Sequence, residues 1–176
     1  MCDEKRVREL LDEIRAEFPG FRLLPKQSSR LQRLIGGALG ILTLGGQRAY
    51  LDHYVTTIGR TIYVNRGWEA RSPGDRYLTL CHERVHLRQF RRYGWLPMAL
   101  GYLLLPLPMG LAYVRARLEW EAYAEGLRAA RALYGDSYVR DSDERARVVA
   151  QFTGPAYGWM WPFRRCVERW YDDVLG

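Results

Sequence analysis

Twenty consecutive residues, "WLPMALGYLLLPLPMGLAYV" at 95–114, carry no charge in a chain that is 27% charged overall. Such a run must leave water, so it either joins a hydrophobic core or meets a membrane. Its length matches one bilayer crossing, and arginines flank it on both sides (Arg91, Arg92, Arg115). Pro97, Pro106 and Pro108 work against one straight helix. Proline lacks an amide N–H, and its ring clashes with the preceding turn. The alternative is a segment that folds back, as two short helices turning at residues 105–108. What lies on either side of the segment decides between them.

A length of 176 residues suffices for one domain with a real core. Six tryptophans, twelve tyrosines and 48% apolar content argue against disorder. The net charge of +7 comes almost wholly from arginine. It suits anionic lipid, nucleic acid or acidic substrates, and equally a solvated surface. No aromatic–basic interleaving of a known nucleic-acid module is present, so no specific nucleic-acid partner is expected. Cys2, Cys81 and Cys166 are an odd set without CxxC spacing, which implies no disulfide framework and a reducing compartment. The N-terminal stretch is charged and amphipathic, with no apolar h-region. No signal peptide is therefore expected, and the expected location is cytoplasmic, with or without membrane association.

Apolar residues at helical spacing (Val7, Leu10, Leu11, Ile14, Phe18) predict a helix over 3–18, stopped by Pro19-Gly20. "FRLLP" reads as a short strand. A glycine-rich apolar helix follows and ends near Gly45-Gly46. Residues 50–57 and 61–65, rich in Tyr, Val, Thr and Ile, read as a β-hairpin broken at Ile58-Gly59-Arg60. Ser72, Pro73 and Asp75 mark the start of a helix that runs to about Tyr93, with Gly94 after it. A long helix closes at Gly135, a short one is capped by Asp141 or Ser142, an aromatic loop spans "TGPAYGWMWPF", and a last helix ends the chain. Helices outweigh strands. The expected class is α+β, mainly helical, with a small antiparallel sheet before the motif helix. One domain is expected, with a motif core at about 47–134, N-terminal helices at 3–45 and C-terminal helices at 136–176.

The helix after the hairpin contains "CHERVH": two of the three histidines, His82 and His86, with Glu83 between them. Residues four apart share a helix face, so both imidazoles can point at one ion. Zinc accepts imidazole nitrogen, and a catalytic zinc keeps three protein ligands and one open position. Glu83 lies one step round from His82, beside such an ion, where a general base is needed. With three His and eleven Glu among 176 residues, chance would produce H-E-x-x-H roughly 0.003 times. A third ligand is required. His53 sits on the hairpin, and Glu119, Glu121 and Glu125 sit on the later long helix. Spacing alone does not choose among them.

His82-Glu83-x-x-His86 followed by Glu119-x-x-Ala122 resembles the gluzincin metallopeptidases, most closely the small single-domain minigluzincins and the M48-like peptidases. The resemblance covers about 50–133. It implies a zincin-like fold, one zinc per chain, a peptide or protein substrate, and Glu119 as third ligand. The alanine would be small so that two helices can approach. A related gluzincin branch usually places Asp after that alanine, where this chain has Tyr123. The resemblance also implies that an edge strand above the active-site helix binds substrate by strand addition. Thr61 to Asn65 is the expected edge. A tyrosine often stabilises the oxyanion in such enzymes, and Tyr157 in the aromatic loop is the candidate.

A ligand role for Glu119 bears on the uncharged segment. A single crossing would put its two ends about 30 Å apart, yet His86 and Glu119 would have to meet at one ion. The segment is therefore expected to fold back, as core or as a cover beside the cleft. The rival to an enzyme is a basic protein that binds an anionic membrane surface through 95–114 and its flanking arginines, with the metal site structural or vestigial.

Overall fold

Strand and helix signals place most of the expected elements, and the computed structural model describes residues 2–29, 54–103, 113–154 and 160–176. The chain divides into two compact units, Cys2–Glu83 and Arg84–Gly176. The division falls inside one continuous helix, so that helix belongs to both.

In the first unit, α1 spans Glu4–Glu17 and buries Val7, Leu10 and Ile14 along one face. The Asp3 side chain caps it by accepting from Arg6 N at 3.0 Å. β1 (Arg22–Pro25) runs into a 3₁₀ turn, Lys26–Ser28. β2 (Thr56–Ile58) and β3 (Thr61–Val64) form the expected hairpin around Gly59, whose φ of +60° suits a residue without Cβ. The sheet order is β1–β3–β2. β2 is antiparallel to β3, with Thr57 opposite Ile62, and β1 is parallel to β3, with Leu23 opposite Ile62.

The sheet is thus mixed rather than purely antiparallel, and β3 is its central strand. Thr61–Val64 is buried along its whole length, and its ladder is taken on both sides, so it is not the free edge that was expected. Among the described residues, β1 and β2 hold the edges. The expected glycine-rich helix, residues 50–53 of the hairpin and His53 lie outside the described residues.

A 3₁₀ turn, Trp68–Ala70, leads into α2, Pro73–Tyr93. Ser72 Oγ accepts from Asp75 N at 3.1 Å and donates to the Asp75 carboxylate at 2.7 Å, so the sequence signal for this start is realised in full. The buried Arg76 guanidinium pairs with Glu4 and Glu69, tying the starts of α1 and α2. Gly94, at φ +83°, follows the helix.

In the second unit, α3 (Trp95–Leu103) is the first of the two short helices expected in the uncharged segment. Residues 104–112, including the expected turn, lie outside the described residues. A Cβ on Gly101 would stand 3.2 Å from Val114 Cγ1, so the segment folds back on itself. Among the described residues no helix is long and apolar enough to cross a membrane.

α4 runs Tyr113–Tyr134 and closes at Gly135, φ +90°. α5 (Asp136–Val139), α6 (Ser142–Thr153) and α7 (Arg164–Leu175) complete the unit. Asp141 caps α6, accepting from Asp143 N and Glu144 N at 2.9 and 3.1 Å. The core is aromatic: Trp120 stacks on Trp170 at 5.9 Å and meets Trp161 edge-on at 6.0 Å, with Phe152 against both Trp120 and Trp170. The Tyr171 hydroxyl donates to Val139 O at 2.6 Å. Burial pushes that phenol up to about 12.

Candidate metal centre

α2 carries the motif because its start is capped and its middle is apolar on the inner side, with Leu80, Cys81 and Leu87 buried. His82, half-buried, and His86, buried, stand one turn apart on this helix. From α4 comes Glu119, flanked by the buried Leu118 and Trp120. His82, His86 and Glu119 each offer one donor atom, all within 4.8 Å of one another. His86 Nε2 lies 3.8 Å from Glu119 Oε2. Two ligand atoms on a tetrahedral zinc are about 3.4 Å apart, from bond lengths of ~2.0–2.1 Å. The observed separation is within half an ångström of that.

It is also too long for a direct bond. A charge-assisted hydrogen bond between imidazolium and carboxylate would draw the atoms to about 2.7–2.9 Å. Both side chains are almost fully buried, His86 at 6% and Glu119 at 4% exposed. The donor set fits zinc: two imidazole nitrogens and one carboxylate oxygen.

Of the three glutamates left open by spacing, only Glu119 joins the histidines. Glu121 accepts from Gln89 Nε2 at 2.9 Å, and Glu125 pairs with Arg128 at 3.6 Å. Ala122, one turn after Glu119, is fully buried. Tyr123 packs edge-on against Phe152 at 5.1 Å, so that position serves the aromatic core. Tyr157, the oxyanion candidate, lies outside the described residues.

Glu83 is buried beside the histidines, and its Oε2 accepts from Thr57 Oγ1 on β2 at 2.7 Å. Lys26, just after β1, is completely buried, and its ammonium feels the Glu83 charge. Burial pulls this lysine from 10.5 down to about 7, with Glu83 acting against the fall. Neither Thr57 nor Lys26 was singled out by sequence. A threonine in a β-rich run and a lysine after Pro25 carry no motif. Gln89 was also missed, although its place three residues after His86 sets it on the same helix face.

No family model, no curated protein and no solved structure matches this chain.

Proposed function

We propose that the protein is a zinc-dependent metallopeptidase of gluzincin type. The observation that carries this is the convergence of His82, His86 and Glu119 donor atoms within 4.8 Å, with the Glu83 carboxylate next to His82 on the same helix. His82, His86 and Glu119 would hold one zinc ion per chain. When bound, zinc supplies a Lewis acid that polarises a carbonyl and lowers the pKa of water from 15.7 to about 7.

The chain's own residues do the rest. Glu83 takes a proton from the attacking water and delivers it to the departing amine nitrogen. Thr57 donates to Oε2 of Glu83 and so helps to fix the orientation of the carboxylate. The substrate is a peptide or protein. With β3 internal, the strand that would receive an extended peptide is β2, the edge strand whose Thr57 contacts Glu83.

Metal analysis tests the reading. Protein purified without chelator should carry about one zinc per chain, lost in His86→Ala. Glu83→Gln should keep the zinc while peptide hydrolysis falls about 10²–10⁴-fold. Retained zinc with undiminished hydrolysis in Glu83→Gln rejects the mechanism.

A second reading, binding to an anionic membrane surface, is favoured by one observation. Trp95, Leu96 and Leu100 on α3 are exposed, at 60, 60 and 44%, beside the exposed Arg91 and Arg92. Sedimentation with phosphatidylserine vesicles, lost on Trp95→Ala/Leu96→Ala, tests it. It is compatible with peptidase activity and does not need the metal.

A further inference from the structure

The Gln89 carboxamide engages three groups at once. Its Oε1 is 2.8 Å from His86 Nδ1, while its Nε2 donates to Leu118 O at 3.0 Å and to Glu121 Oε2 at 2.9 Å. An amide oxygen only accepts and an amide nitrogen only donates. Leu118 O and the Glu121 carboxylate are both acceptors, so Nε2 must face them. Oε1 is then fixed on His86, and His86 must donate from Nδ1. A neutral imidazole carries one proton, which leaves the lone pair on Nε2. That nitrogen is the one 3.8 Å from Glu119 Oε2.

The same amide acts on the other helix. Leu118 immediately precedes Glu119, so the bond to its carbonyl fastens α4 to α2 beside the third ligand. Gln89 is buried, at 3% exposed, which shields these bonds from exchange with water.

We propose that Gln89 is a positioning residue: it holds His86 in the tautomer whose Nε2 accepts a cation and sets Glu119 opposite that nitrogen, with Glu121 fixing which way the amide faces. This rests on the zinc reading, and it also describes the protein before metal enters. An unconstrained histidine favours the other tautomer, protonated on Nε2, so the Nδ1–H form must be imposed.

The test uses ¹⁵N-labelled, chelator-treated full chain and long-range proton–nitrogen NMR of the imidazoles, with zinc affinity measured by competition against a chromogenic chelator. Wild type should show His86 protonated on Nδ1. Gln89→Leu should move the proton largely to Nε2 and weaken zinc about 10–100-fold. The swapped pair Gln89→Glu/Glu121→Gln keeps an acceptor for His86 and lets position 121 donate to position 89, but leaves Leu118 O without its side-chain donor. It should restore the Nδ1–H signal, with zinc affinity between that of Gln89→Leu and wild type, because the acceptor on His86 is kept and the bond to Leu118 O on α4 is lost.

Wild-type His86 protonated on Nε2, or Gln89→Leu binding zinc as tightly as wild type, overturns the proposal. If Gln89→Leu does not fold, the wild-type tautomer and the swapped pair decide, and a swapped pair without the Nδ1–H signal counts against it. Absence of zinc binding by wild type refutes the metal reading and this inference together. Tight binding indifferent to Gln89 refutes this inference alone.

Discussion

Replacing Lys26 by methionine should erase a specific pH dependence of stability. Lys26 is completely buried, and burial lowers its ammonium from 10.5 to about 7 in the folded chain. The unfolded chain keeps the proton up to about 10.5. Between the two values the unfolded state therefore binds more protons, and stability rises with pH. Below pH 7 both states are protonated and the dependence vanishes.

Within the window the slope approaches ~1.4 kcal/mol per pH unit, and integration from pH 7 to 9 gives about 2 kcal/mol. For a chain of this size that is a rise of roughly 4–8 °C in melting temperature relative to the variant. Lys26→Met has no proton to lose here, while its other titrating groups are unchanged. The measured quantity is the difference between wild type and Lys26→Met in urea unfolding at pH 7, 8 and 9, with chelator present and tryptophan fluorescence as readout. If the two proteins track each other within ~0.5 kcal/mol across that range, the buried lysine is not titrating near neutrality and the description of its surroundings is wrong.

Two further outcomes follow from other contacts. Glu119→Gln leaves the side chain's size unchanged but removes the anionic donor, so zinc affinity should fall at least about 10-fold while the metal-free protein folds, as read by chelator competition and circular dichroism. Tyr171→Phe deletes the buried 2.6 Å bond to Val139 O. It should cost about 1–3 kcal/mol in urea unfolding, because that carbonyl loses a partner, with zinc binding untouched.

Local signals read well in this chain. Ser72, Asp141 and the glycines at 94 and 135 all mark helix ends where the sequence placed them. Capping and turn chemistry act over a few residues, so they are legible without the fold. The parallel pairing of β1 with β3 was not, because Arg22 and Thr61 are 39 positions apart and nothing near "FRLLP" names its partner. That pairing made β3 internal and displaced the expected edge.

At the site, the histidines were read from helical spacing. Spacing could not separate Glu119 from Glu121 and Glu125; burial and the 3.8 Å approach to His86 do. Thr57, Lys26 and Gln89 act through partners that are distant in sequence or carry no recognisable pattern.

The placement of Lys26 behind β1 has a practical meaning for anyone trimming this protein. A fragment beginning near residue 54 would keep every letter of both motifs and both helices that bear them. It would forfeit β1, which pairs with β3, and the buried Lys26, whose ammonium feels the Glu83 carboxylate. Completeness of a motif and completeness of the apparatus around it are therefore separate properties of this chain, and deletion mapping would tell them apart where alignment of short signatures would not.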